Sequence, residues 1–85
     1  MEEKAVLLRH LDALHTTDRG RERIQKNLRL GGEDPLEFCR RLILRSDCRV
    51  TRRGKNWYCE GASVRLTVNA SACTVITAHP LAAGK

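Results

Sequence analysis

Three segments decide the fold: KNWYC at residues 55–59, VRLTVN at 64–69 and TVITAH at 74–79. In the middle segment Val64, Leu66 and Val68 alternate with polar residues, which is the period-two pattern of a strand with one buried face. The small residues around Gly61-Ala62 and Ala70-Ser71 separate the segments as turns. With a first strand that begins near Cys48, the segments predict a four-stranded antiparallel meander.

The two faces of this sheet differ in character. Trp57 and Tyr58 must point to opposite sides of their strand, so we assign Trp57 to the core and Tyr58 to the polar face. The last strand has two alternatives. A two-residue turn before it puts Val75 and Thr77 on the core side, whereas a slip by one residue puts Ile76 there.

The N-terminal half has helical periodicity. Residues 3–14 predict a first helix, and residues 18–28 predict a second that follows a cap at Thr16-Thr17 and ends at Gly31-Gly32. A third helix begins at 34–37 (DPLE), which supplies a cap residue, a proline and a glutamate in the preferred order. The predicted fold is α+β, with three N-terminal helices packed on a C-terminal four-stranded antiparallel meander sheet.

Length and composition predict one domain over residues 1–80 and a flexible tail over 81–85, because 85 residues suffice for one small core. The N-terminus lacks the basic start and apolar core of a secretory signal, and no apolar run could cross a membrane, so we expect a cytoplasmic protein with no membrane partner.

The four cysteines are too widely spaced for one loop to offer two thiolates to zinc, so we expect buried free thiols and no metal or other cofactor. A redox disulfide, or a Cys/His metal site that recruits His79, remains the alternative.

The net charge of +6 is concentrated in residues 18–55, which contain twelve bases and six acids. Arginine binds two phosphate oxygens at once, so RNA or another polyanion is the natural partner of such a patch. A merely solvated basic surface is the alternative. The candidate nucleic-acid-binding residues are Arg19, Arg23, Lys26, Arg49, Arg52, Arg53, Tyr58 and Asn69.

Five motifs carry a family resemblance: HTT at 15–17, RIQKNL at 23–28, GKNWY at 54–58, TVN at 67–69 and ITAH at 76–79. Over nearly the whole chain the sequence resembles the small bacterial family catalogued as domain of unknown function 3781. That family has no established activity. More distantly, helices followed by a meander that ends in a Thr-Ala-His motif resemble the compact ribonuclease toxins related to barnase, colicin D and RelE.

Metal-independent RNA cleavage needs a general acid or base and cations for the developing charge. His79 is the candidate acid or base, because imidazole is the side chain best suited to proton transfer near neutral pH. Lys55 and Arg65 would neutralise the phosphate, with Thr77 and Asn69 as uncharged donors. His15 completes the candidate catalytic set, although a cap or packing role is favoured for it.

Three hypotheses therefore compete: an RNA-cleaving enzyme of toxin type, a nucleic-acid-binding module without catalysis, and a protein-interaction domain with a partner such as an antitoxin. The first requires His79, Lys55, Arg65 and Thr77 to share one concave surface. The second requires only a basic face, and the third requires neither.

Overall fold

The computed structural model describes residues 3–81, which form three helices followed by a four-stranded sheet. The helices are α1 (Glu3–Arg9), α2 (Asp18–Leu28) and α3 (Pro35–Leu44), with a 3₁₀ turn at Leu11–Ala13. The strands are β1 (Arg49–Arg53), β2 (Asn56–Gly61), β3 (Val64–Asn69) and β4 (Thr74–Pro80). All neighbouring strands are antiparallel in the order β1-β2-β3-β4, so the predicted α+β fold is confirmed.

Both predicted helix starts are confirmed by their caps. The Thr17 hydroxyl accepts a hydrogen bond from the Gly20 amide at 3.0 Å, and the Asp34 carboxylate accepts one from the Glu37 amide at 3.0 Å. The bond from the Glu37 amide, together with the Arg21 guanidinium, holds the pKa of Asp34 below its usual value. Helix α2 covers the predicted residues 18–28, but it is ended by Arg29, whose left-handed conformation (φ 52°) lies two residues before the expected glycine pair Gly31-Gly32.

The first helix is shorter than predicted. It ends at Arg9, and the chain leaves the 3₁₀ turn in an extended conformation at Leu14. This lets His15 pair with the edge of β4, where its amide donates to the Cys73 carbonyl at 3.0 Å and its carbonyl accepts from the Val75 amide at 2.8 Å. Tertiary pairing with a distant strand therefore overrides the local helical pattern.

The core lies between the helices and one face of the sheet. Leu66, Val68 and Ala78 are fully buried on that face, and Trp57 is only 2% exposed, which confirms its assignment to the core. Helix α1 packs on β1, α3 on β2 and α2 on β4. All three helices thus cover the same face of the sheet.

A β-bulge settles the orientation of the last strand. Thr67 pairs with Thr77 and Val68 pairs with Val75, which leaves Ile76 as an extra residue, 40% exposed. Val75 therefore faces the core and Thr77 faces away from it. The first predicted alternative was right for Val75 and wrong for Thr77, and the second, which put Ile76 on the core side, was wrong, because both assumed a regular strand.

All four cysteines are buried free thiols, as predicted. Burial, with the nearby Asp34 charge, raises the pKa of Cys39 to about 12. Hydrogen bonding between the thiols of Cys48 and Cys59 lowers the pKa of Cys48 and raises that of Cys59. Within residues 3–81 no three His, Cys, Asp or Glu side chains are grouped so that they could hold a metal ion.

The C-terminal end is held as far as Leu81, whose amide donates to the Ser63 carbonyl at 2.8 Å. The remainder of the predicted tail, residues 82–85, lies outside the described residues. Among the described helices, none has the length and apolar character needed to span a membrane.

Candidate nucleic-acid interface

The sheet face that points away from the helices, here called the open face, carries polar side chains in three rows set by the antiparallel register. The charged row is Arg49, Glu60, Arg65 and His79; the hydroxyl row is Thr51, Tyr58, Thr67 and Thr77; the amide row is Arg53, Asn56, Asn69 and Thr74. Neighbours within a row lie directly opposite each other on adjacent strands, so their side chains are close enough to act together.

The charged row has an excess of positive charge. Glu60 Oε2 accepts hydrogen bonds from Arg65 Nε at 2.8 Å and from Arg65 Nη2 at 2.5 Å. His79 is opposite Arg65 and Arg49 is opposite Glu60, and both are exposed. Because the row contains two arginines and one carboxylate, which is bound by Arg65, the row offers an anion at least one uncompensated guanidinium.

A cavity of about 300 Å³ opens at the centre of the open face, lined by Thr51, Arg53, Tyr58, Glu60 and Arg65. Tyr58 is half-buried in the hydroxyl row, between Thr51 and Thr67 on the neighbouring strands. The tyrosine therefore lines this cavity, which has charged groups at both of its ends.

The amide row is partly occupied by the fold itself. Asn69 Oδ1 accepts hydrogen bonds from the Ser71 hydroxyl at 3.2 Å and from the Ala72 amide at 2.9 Å, so this predicted contact residue stabilises the turn between β3 and β4. Asn56 Oδ1 is buried and accepts no hydrogen bond from the described part of the chain.

The predicted catalytic set is divided between the two ends of the sheet. His79, Arg65 and Thr77 lie together on the open face. Lys55 lies in the turn between β1 and β2, after Gly54 (φ +56°), and its carbonyl accepts from the Ala70 amide at 2.8 Å. Its neighbour Asn56 pairs with Asn69, whereas His79 pairs with Arg65. Arg65 and Asn69 are four residues apart on β3, so the two ends of the catalytic set are separated by roughly 13 Å along the strand.

His15 is part of the structure that covers the edge of β4. Its Nδ1 lies 3.0 Å from the Ala13 carbonyl, which can only accept, so Nδ1 carries the proton. Its Nε2 lies 3.0 Å from the Thr74 hydroxyl, within hydrogen-bond distance. With both ring nitrogens engaged, these contacts support the packing role favoured for His15.

The basic side chains of α2 form a second surface, here called the α2 flank, which consists of Arg19, Arg23 and Lys26. With 3.6 residues per turn, these three project from the side opposite Arg21, which pairs with Asp34 at the start of α3. Asn27 joins the helix to the sheet by donating to the Ala78 carbonyl at 3.1 Å. The α2 flank therefore lies on a helix that is joined to β4.

Arg52 does not belong to the open face. Its guanidinium lies 5.8 Å from the centre of the Trp57 ring, and its Nε donates to the Gly54 carbonyl at 2.9 Å. Trp57 in turn donates from Nε1 to Glu3 at 3.0 Å and stacks near His10, with ring centres 6.4 Å apart. This predicted binding residue therefore helps to enclose the tryptophan.

Sequence reasoning missed Glu60, the acceptor at the centre of the charged row. The turn between β2 and β3 was predicted at Gly61-Ala62, but its two central residues are Ala62 and Ser63, both with positive φ (50° and 59°). That register puts Glu60 opposite Arg65. The sequence did contain a signal for this pair, because the opposite charges of Glu60 and Arg65 lie at equal distances from the two-residue loop.

Comparison with known proteins gives one match. The family model described as "Protein of unknown function (DUF3781)" matches residues 8–79. No curated protein and no solved structure matches the chain. The matched range includes α2 and all four strands, and therefore the whole open face and the α2 flank. The likeness to ribonuclease toxins stays a prediction.

Proposed function

We propose that this chain, which belongs to the DUF3781 family of proteins of unknown function, binds single-stranded RNA on the open face of its sheet. The observation that carries the proposal is the arrangement of Arg49, Arg53 and Arg65 around Tyr58, on a face that none of the helices within residues 3–81 covers. The α2 flank is a separate basic surface, on the helix that packs against β4.

The chemistry of this face suits a splayed single strand. Arginine contacts phosphate through two parallel hydrogen bonds, and stacking of a base on an aromatic ring contributes about 1–3 kcal/mol. In the hydroxyl row Thr51 is exposed and Thr77 is half-buried, and their hydroxyls are sequence-tolerant hydrogen-bond partners. A broad sheet face cannot enter the deep, narrow major groove of an RNA duplex, so a single strand fits it better.

The test is the salt dependence of RNA affinity in two matched double variants. Arg49→Gln with Arg53→Gln removes two cations from the open face, and Arg9→Gln with Arg41→Gln removes two exposed cations from α1 and α3. For a single strand, each lost phosphate contact lowers the magnitude of the slope of log affinity against log salt by about 0.7. We expect this magnitude to fall by about 1.4 for the open-face variant and to stay unchanged for the helix variant.

Equal losses in the two variants would contradict the proposal, since they would mean that total charge matters and its location does not. Absence of binding at low salt would contradict it as well. Thermal melts serve as the control, because all four arginines are exposed and their replacement should leave the fold intact.

RNA cleavage is a second candidate, favoured by one observation, the position of His79 opposite Arg65 on the same face. If His79 is the general acid or base, His79→Ala lowers cleavage by about 10²- to 10⁴-fold and leaves RNA affinity unchanged. Lys55→Ala should leave cleavage intact, since Lys55 lies at the other end of the sheet. Wild-type protein that leaves RNA uncut under conditions of full binding would exclude this candidate.

We place the proposed activity in the cytoplasm, where RNA is available and thiols stay reduced; the four buried free cysteines support this location. Thiol trapping in intact cells tests it, with all four cysteines expected in the reduced form. A disulfide-bonded population in unstressed cells would contradict it. A protein partner such as an antitoxin stays a prediction.

A further inference from the structure

The cavity on the open face has a chemistry more specific than a basic patch. Its walls come from three strands, with Thr51 and Arg53 on β1, Tyr58 and Glu60 on β2, and Arg65 on β3. We infer that this cavity is a nucleobase pocket that prefers guanine. The inference rests on the proposed RNA binding and adds which base the face selects.

Glu60 is the unusual member of this cavity, because a carboxylate repels the phosphates that the surrounding arginines attract. Its Oε2 accepts both hydrogen bonds from Arg65, whereas Oε1 makes none with any residue from 3 to 81. Arg65 thereby fixes the carboxylate in place. Oε1 keeps two lone pairs with which to accept hydrogen bonds from a ligand.

The free acceptor discriminates among the bases by the donors that they present. Guanine has two adjacent N–H donors on its Watson–Crick edge, at N1 and at the N2 amino group. Uracil has one ring N–H, and adenine and cytosine each have one amino group without a neighbouring ring N–H. Proteins read the splayed bases of single strands through hydrogen bonds to this edge, so the acceptor-only carboxylate of Glu60 fits guanine best among the four bases.

The rest of the cavity suits the other parts of a nucleotide. Tyr58 supplies the aromatic surface beside Glu60, on which a base can stack. Arg53 lies at the other end of the cavity, opposite Asn56, and forms no ion pair within the described residues. It is thus free to bind a phosphate next to the selected base.

The test compares pentanucleotide RNAs that differ only in the central base, each flanked by uridines and labelled for fluorescence anisotropy, at about 50 mM salt where phosphate contacts are strong. We expect central guanosine to bind about tenfold more tightly than central uridine, a ratio typical of one good two-point base contact. Inosine, which keeps N1–H and lacks the N2 amino group, should fall between them.

Glu60→Gln should remove the preference for guanosine over inosine and uridine, because an amide offers a weaker acceptor. Glu37→Gln is the matched control, since it removes the same charge from an exposed position on α3 and should keep the preference. The comparison of guanosine with inosine uses the wild-type protein, so it tests the preference for guanine even if Glu60→Gln fails to fold.

The possible outcomes distinguish a failure of the guanine pocket from a failure of the proposed RNA binding. Equal affinity for all central bases would overturn the guanine pocket and leave the proposed RNA binding intact. A guanosine preference that survives in folded Glu60→Gln would overturn the assignment to Glu60. Absence of binding to every oligonucleotide at low salt would overturn the pocket and the proposed function together.

Discussion

The two faces of the sheet are made of alternate residues from the same strands, yet they are subject to different constraints. On the helix side Leu66 and Val68 are fully buried in one apolar cluster. On the open side their neighbours Arg65 and Thr67 belong to polar rows, in which Thr67, 9% exposed, is the one buried member and the others are at least partly exposed. The fold therefore depends mainly on one set of residues, which leaves the other set available for function.

The largest expected effect of a single substitution is at Leu66. Leu66→Ala removes a fully buried side chain from the centre of the core and should lower the free energy of unfolding by about 2–5 kcal/mol. The next residue, Arg65, has a side chain that is 43% exposed and forms a surface ion pair, so Arg65→Gln should cost about 0–1 kcal/mol. Urea denaturation measures both, and similar losses would contradict the division between the faces.

A smaller loss is expected at Gly20, where α2 lies against β4. A Cβ at this position would collide with the Thr16 hydroxyl, which donates to the Val75 carbonyl at 2.8 Å. Gly20→Ala should therefore cost about 1–3 kcal/mol, as overpacking commonly does. Gly32→Ala is the control, because nothing lies within 4 Å of its added methyl group, and a loss equal to that of Gly20→Ala would refute this explanation.

The smallest expected effect is a gain, in the turn that sets the register of the open face. Ala62 and Ser63 both have positive φ, which asparagine and glycine adopt more readily. Ala62→Asn with Ser63→Gly should raise stability by about 1 kcal/mol, while Ala62→Val should lower it, because a β-branched residue resists this conformation. A melting temperature that falls in the double variant and rises in Ala62→Val would contradict this turn, and with it the pairing of Glu60 with Arg65.

The sequence predicted the parts of the fold that rest on local patterns. Alternation in β3 identified its buried face, and the residues at Thr17 and Asp34 marked two helix starts, because a cap acts within one turn of its own position. The end of α1 was not predictable in the same way. It depends on pairing between His15 and β4, whose residues lie far away in the sequence.

The open face was predicted only in part, for a related reason. The polar side of β3 was evident, but a bulge at Ile76 and a turn at Ala62-Ser63 decide which residues from the neighbouring strands join it. Neither the bulge at Ile76 nor the turn at Ala62-Ser63 contains a glycine or asparagine from which its conformation could be predicted. A list of basic residues could not show that Arg52 lies over Trp57 on the other face.

The central claim, that RNA binds the open face, is tested most directly by methyl NMR during titration with a single-stranded RNA. The methyl groups of Thr51 and Thr77 report on the open face, and those of Leu8 and Leu44 on exposed positions of α1 and α3. The account predicts saturable shifts of the two threonine methyls that are reversed by salt, with both leucine methyls unmoved. Shifts confined to Leu8 and Leu44, or no shift at any of the four, would contradict it.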